Sequence, residues 1–214
     1  MDFADKLLHW YEHHGRHDLP WQVRGDPYPV WVSEIMLQQT QVTTVIPYYE
    51  RFISQVPSLQ DLADANLDQV LHLWSGLGYY ARARNLHKTA KIITEQYGGS
   101  FPVEITQLVA LPGIGTSTAG AILAQSLGQR HPILDGNVKR VLTRYYRIDG
   151  WPGHRETENH LWQMSDQNTP SSKIAEYTQA IMDLGATVCK RSNPDCPNCP
   201  MKNECQAFIF DEVN

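Results

Sequence analysis

The sequence predicts an all-α fold, and three observations carry the prediction. Apolar residues recur at helical spacing through most of the 214 residues. Alternating, strand-like runs are scarce. Glycine, proline and capping residues punctuate the chain at short intervals, and no repeat, low-complexity tract or long linker interrupts it. The expected architecture is roughly ten short helices followed by a cysteine-bearing loop.

The elements follow in order. Phe3, Leu7, Leu8, Trp10 and Tyr11 line one face of a first helix that Gly15 can stop. A polar loop with Pro20, Gly25, Pro27 and Pro29 comes next, then helices over 31–37 and 42–52. Ser58 can cap a short helix through residue 65, and 67–74 forms another. Gly76 and Gly78 mark a turn before a longer helix over 80–97. A short helix over 105–111 is stopped by Pro112. Residues 116–127 are small and apolar, which predicts a central buried helix. Helices over 137–146, 156–167 and 174–189 complete the set.

Cys189, Cys196, Cys199 and Cys205 are the only cysteines and read C-x6-C-x2-C-x5-C. Four thiolates in one loop can enclose a single metal ion or a cubane iron–sulfur cluster. One tight pair with two flanking singles favours the cluster over zinc, which usually takes two tight pairs. Disulfides suit small secreted domains, and no secretory signal is evident here. Pro194, Pro197 and Pro200 favour a stiff loop. His13 and His17 have the i, i+4 spacing of a second metal site, but Gly15 lies between them, which favours a surface role.

The net charge of −5 argues against a nucleic-acid partner, while its distribution argues for one. Arg82, Arg84, Lys88 and Lys91 form one basic stretch, and Lys139, Arg140, Arg144 and Arg147 another. Such faces can meet phosphate whatever the overall sum, or simply be solvated helix surface. No apolar run is long enough to cross a bilayer. The expectation is a soluble intracellular monomer with no membrane contact, cytoplasmic and nucleoid-associated in a bacterium.

Leu111-Pro112-Gly113-Ile114-Gly115 lies between two helices. Two glycines allow a tight turn and close backbone approach, and the next helix points its free N–H groups at that turn. This is the layout of a helix-hairpin-helix, which grips a DNA phosphate without reading sequence. A nucleotide-binding loop fits less well, because Thr118 stands where G-x-G-x-x-G needs its third glycine.

The hairpin, an aspartate shortly after it and the cysteine spacing together resemble the endonuclease III superfamily of DNA glycosylases. The resemblance covers essentially the whole chain. It is narrowest with the catalytic region of MutY-type adenine DNA glycosylases, through Leu19-Pro20-Trp21, Val32-Ser33-Glu34-Ile35-Met36-Leu37-Gln38-Gln39-Thr40-Gln41, Gly76-Leu77-Gly78-Tyr79-Tyr80 and Leu134-Asp135-Gly136-Asn137-Val138. It implies a helix-hairpin-helix glycosylase fold of two helical domains. Residues 1–20 with 130–214 would form a discontinuous domain whose C-terminal loop holds a [4Fe-4S] cluster on the four cysteines. Residues 21–129 would form a six-helix barrel with the hairpin near 104–127. Relatives usually continue into a Nudix-like domain that helps distinguish 8-oxoguanine. That domain is absent from this sequence, so weaker discrimination is expected.

The resemblance also assigns roles. Glycosidic cleavage passes through an oxocarbenium-like state, which needs an acid at the leaving base and a carboxylate at the sugar. Glu34 would be the acid, kept protonated by an apolar setting. Asp135 would face the sugar as an anion favoured by helix N–H groups, oriented by Asn137. Ser117 takes the position where bifunctional relatives carry a Schiff-base lysine, so a monofunctional enzyme is expected. Gln38, Gln39 and Tyr79 would enter the duplex beside the partner base, while Trp21 and Leu37 pack on the flipped adenine. Gly113, Gly115, Ser117 and Lys139 would meet the DNA backbone, as would Arg82 and Arg84. Gln22 stands where some relatives carry arginine. Lys190, Arg191 and Lys202 could present charge beside the cysteines.

The implied partner is double-stranded DNA containing A·8-oxoG or A·G. Two rivals remain at this point: a superfamily glycosylase of other base specificity, and a non-catalytic iron–sulfur DNA-binding protein.

Overall fold

The computed structural model describes residues 2–213. Twelve α-helices are found among them: α1 Phe3–His14, α2 Pro27–Leu37, α3 Val42–Gln55, α4 Leu59–Asp64, α5 Leu67–Trp74, α6 Ala81–Gln96, α7 Ile105–Val109, α8 Thr116–Leu127, α9 Gly136–Tyr146, α10 Arg155–Asn168, α11 Ile174–Asp183 and α12 Gln206–Ile209. The all-α expectation holds, with no strand among the described residues. None of the described helices is long and apolar enough to cross a membrane.

Local chemistry explains most boundaries. Asp2, Ser58, Asn66 and Asp135 each accept a backbone N–H from the first turn of the helix they precede. The helix expected at 31–37 starts at Pro27 instead. Asp26 accepts from Tyr28 N at 3.0 Å, and prolines in a first turn forfeit no helical hydrogen bond. The helix expected to run to residue 189 stops at Asp183, and Leu184–Val188 continue as a π-helical turn. The short α12 carries no strong sequence signal and was not expected.

The described chain divides into two compact units. The first is contiguous, from Asp18 to Leu127, and contains α2 to α8. In it α2 packs on α3, α6 and α8, while α6 packs on α4 and α5. Trp21, Trp31, Phe52, Trp74, Leu86 and Ile122 are among its fully buried core residues. Burying one such side chain contributes about 1.5–3 kcal/mol.

The second unit combines the described residues up to His17 with those from Gly128 onward. Here α1 lays Phe3, Leu7, Trp10 and Tyr11 inward and packs on α11. The buried Asp183 accepts from Arg16 N at 2.7 Å and from its guanidinium at 2.6 and 2.9 Å, and Gln179 adds a fourth bond. This paired charge fastens the chain after α1 to the end of α11. In the same unit α9 packs on α10, α11, α12 and the π turn.

Candidate active site and candidate metal centre

Glu34 is the only charged residue of α2, whose sequence is otherwise almost wholly apolar. It is half-buried, and its Oε1 accepts from Gln125 Nε2 at 2.9 Å. Gln125 is 7% exposed on α8, so this carboxylate is held from inside the unit. Sequence reasoning missed Gln125. The available signal was a lone amide on a helix otherwise made of small and apolar residues.

Beyond α2 the chain turns sharply. Gln38 ends the helix, and Gln39 takes a left-handed backbone at φ 58°. Tyr79, after the Gly76-Leu77-Gly78 turn, has φ 49° and stands 62% exposed. Neither is glycine, so each such conformation costs about 1–2 kcal/mol and must be held by its surroundings. Gln38, Gln39, Tyr79, Tyr80 and Arg84 help line an open concavity of about 790 Å³. Leu37 packs at the margin of the core.

Arg82 is not a surface phosphate contact. It is 9% exposed and donates inward, Nη1 to the carbonyls of Ile35, Met36 and Gln38 at 3.0, 2.6 and 2.7 Å. Nη2 reaches Thr40 Oγ1 at 3.2 Å and the carbonyls of Gly78 and Leu77 at 3.3 and 3.5 Å. Burial lowers its pKa from the usual guanidinium value, and Tyr79 opposes that shift. Arg84, one residue past the inward-facing Ala83, is exposed. Trp21 is 2% exposed, edge-on to Tyr49 with ring centres 5.3 Å apart. It sits in the core and presents no open stacking face.

The hairpin between α7 and α8 is exposed at both glycines. Gly113 has φ 81°, and a Cβ there would meet Asn85 at 3.0 Å. Gly115 would meet nothing within 4 Å, so its outer side is open. Thr89 of α6 donates to Pro112 O at 3.0 Å and fixes the turn from behind. Ser117 lies half-buried in the first turn of α8, whose early N–H groups have no intrahelical acceptor.

In the other unit Asp135 caps α9, its Oδ1 accepting from Val138 N at 2.8 Å. Asn137 Nδ2 reaches its Oδ2 at 3.5 Å. Burial pushes the Asp135 pKa above the usual carboxylate value. The N–H bonds from Val138 and Asn137 and the Arg140 charge pull it down without prevailing. The sequence-based expectation had the opposite sign, because it weighed the helix terminus and not the desolvation. Gly185 lies so close to Asn137 that a Cβ would sit 2.6 Å from the Asn137 Cβ. The π turn therefore backs directly on the start of α9.

The second basic stretch is spent internally. Arg140 donates to Asn137 Oδ1 at 2.8 Å, Gly185 O at 2.6 Å and Cys189 O at 2.7 Å. Arg144 donates to Cys189 Sγ at 3.4 Å and Lys190 O at 2.7 Å. Lys139 pairs with Glu158 at 2.5 Å, and Arg147 with Glu212 at 2.7 Å. Arg140 and Arg144 thus organise the cysteine loop and the start of α9.

Cys189, Cys196, Cys199 and Cys205 are partly buried and unbridged. Cys196, Cys199 and Cys205 all feel the charge of Cys189, so the four thiols are neighbours. Burial raises these three, Cys199 to about 12. A strongly bound cationic group would hold these three as thiolates against that burial. Among the described residues the one trio of candidate ligand atoms mutually within 4.8 Å is His9, Glu12 and His13. In the histidine trio, the Glu12 carboxylate already faces the Lys173 ammonium at 3.5 Å. His17 turns away to Tyr11 O at 2.9 Å, so the i, i+4 pair with His13 that the sequence disfavours is not formed.

Comparison with known proteins places these features. Residues 32–167 match the family described as HhH-GPD superfamily base excision DNA repair protein. An adenine DNA glycosylase of Buchnera aphidicola subsp. Baizongia pistaciae is 49% identical over 99% of this chain and 60% of its own length. One from Mus musculus is 44% identical over 96% of this chain and 42% of its own. The chain thus spans less than two thirds of the length of these relatives. A thermostable thymine-DNA glycosylase structure superposes with a TM-score of 0.87 at 25% identity, covering 97% of this chain and 95% of that one. An endonuclease III structure solved as a non-covalent DNA complex gives 0.81 at 20% identity, covering 99% and 95%, and shares the fold. With the hairpin and both carboxylate-bearing segments inside the matched residues, the chain belongs to the HhH-GPD superfamily of base excision DNA repair proteins.

Proposed function

We propose that this chain is the catalytic part of an adenine DNA glycosylase acting on adenine opposite 8-oxoguanine or guanine. The observation that carries the reading is Glu34, a single carboxyl group on an apolar helix, fixed through Oε1 by the buried Gln125. The adenine DNA glycosylases that match nearly the whole chain at 44–50% identity support the choice of base.

In this reading Gln125 keeps Oε1 as an acceptor, and Oε2 carries the proton delivered to adenine N7. The C1′–N9 bond breaks with its electron pair leaving on the base. Asp135, as an anion, stabilises the sugar cation, and Asn137 orients it. Water adds at C1′ and loses a proton, leaving an abasic site. A serine hydroxyl cannot form an imine, so Ser117 supplies no lyase step. Gly113, Gly115 and the start of α8 receive a backbone phosphate. Gln38, Gln39 and the exposed Tyr79 meet the partner base, and Leu37 borders the flipped adenine. Trp21 supports this wall from the core. Lys139 reaches phosphate only by leaving Glu158. Cys189, Cys196, Cys199 and Cys205 hold a [4Fe-4S] cluster, which supplies a rigid, charged structural centre when bound.

Single-turnover base release from duplexes holding A·8-oxoG, A·G, A·T or an oxidised pyrimidine tests the reading, beside Glu34→Gln. Alkali-dependent cleavage at the mispaired adenine, lost in the variant by at least about a hundredfold, is expected. Cleavage at the pyrimidine, or release unaffected by Glu34→Gln, would overturn it.

A further inference from the structure

Arg82 is the least expected residue of the contiguous unit. A buried guanidinium usually meets a carboxylate, yet its six acceptors here are five backbone carbonyls and one threonine hydroxyl. They belong to two separate segments. Ile35, Met36, Gln38 and Thr40 form the end of α2 and the loop after it. Leu77 and Gly78 form the turn before α6. The cation also lies 5.3 Å from the Trp74 ring centre and 5.4 Å from that of Tyr79. Each segment carries or adjoins a non-glycine residue held left-handed, Gln39 in one and Tyr79 in the other. Both border the same open concavity.

We propose that Arg82 is a positioning residue whose guanidinium clamps the 38–40 loop to the 76–79 turn, so that Gln39 and Tyr79 are presented to the duplex as one preformed element. The inference rests on the reading that these two side chains contact DNA. The carbonyls at the end of α2 carry the negative end of the helix dipole, which a fixed cation stabilises. Arginine suits the task because its planar fork donates in several fixed directions. A lysine reaches one segment or the other but cannot hold both in the same geometry. Preforming the element removes ordering from the binding step, so its loss weakens recognition of the mispair more than general affinity for DNA.

The test joins two measurements on the intact chain with its metal centre loaded. The first is amide hydrogen exchange of Arg82→Lys in the absence of DNA. Faster exchange confined to both 38–40 and 76–79, with the body of α6 unchanged, is expected. Unchanged exchange in either segment would overturn the clamp. The second is a double-mutant cycle of Arg82→Lys with Tyr79→Ala, read as the ratio of affinities for an A·8-oxoG duplex and an undamaged duplex. Each single variant should lower that ratio about tenfold, and the double variant no further than the worse single. A retained ratio in Arg82→Lys, or additive losses, would refute the positioning role, since a general loss of core stability does not act through Tyr79.

If Arg82→Lys fails to fold, Thr40→Val removes one acceptor while keeping the arginine. A smaller fall in the ratio supports the clamp and an unchanged ratio rejects it. A wild-type protein that neither prefers the mispair nor releases adenine would defeat the functional reading. The exchange result would still decide whether Arg82 couples the two segments.

Discussion

Asp135 is pushed toward its neutral form by burial while serving as the cap of α9. The proposed chemistry needs its anion, so stability and activity make opposite demands on one carboxyl group. Its folded-state pKa lies above the unfolded value, so the native state keeps a proton where the unfolded chain has lost it. The associated stability is greatest at acid pH and is lost as pH rises through that window. At neutral pH Asp135→Asn should therefore raise stability and with it the melting temperature. Asparagine caps as well as aspartate. Base release should fall by orders of magnitude, and wild-type activity should decline as pH drops through the raised Asp135 pKa. A variant less stable than wild type at pH 7 by thermal unfolding would contradict the burial argument. Residue identity alone did not reveal this setting. The same blindness put Arg82 on the surface and gave Trp21 a stacking role, because a linear sequence shows charge and ring but not which way they point.

At the scale of elements, the hairpin separates two demands that its glycines share in the sequence. Gly113 is needed for the fold, with φ 81° and Asn85 behind it; Gly115 faces open space. Gly115→Ala should fold with near-wild-type stability yet bind duplex DNA several-fold more weakly, because its methyl intrudes where a phosphate would dock. Gly113→Ala should lose about 1–2 kcal/mol of stability as well. Melting curves beside salt-dependent DNA titrations check both, and equal DNA affinity in Gly115→Ala would remove the hairpin from the interface. Helix positions were largely legible from periodicity and caps. The errors have local causes. Pro27 and Pro29 read as a loop although the Asp26 cap makes them a first turn. The π turn at Leu184–Val188 is set by close approach of Gly185 to Asn137, a tertiary contact no periodicity records.

For the whole molecule, we expect the cysteine loop to be the part whose order depends most on a bound metal centre. Arg140 and Arg144 reach it from α9, but the thiols themselves form no covalent link. Cys199→Ser should lose the visible absorbance of the cluster, lower the melting temperature and weaken DNA binding before it slows base release on bound DNA. Unchanged stability and affinity in a protein shown to lack iron would defeat that order of events. The cysteine spacing singles out this loop as the candidate metal centre. What spacing did not show is that three neighbouring basic residues, counted first as candidate phosphate contacts, are engaged within the unit: Arg140 and Arg144 with the loop and Lys139 with Glu158.

The discontinuous unit also has a history during synthesis. α1 is made long before α11, on which its inward face of Phe3, Leu7, Trp10 and Tyr11 rests. The ribosome adds about 5–20 residues per second, so that face waits roughly 8–30 seconds for its partner at the same rates. The contiguous stretch from Asp18 to Leu127 can collapse meanwhile around its own core. The nascent chain is therefore most exposed to aggregation and chaperone capture in this interval, with its first helix still uncovered.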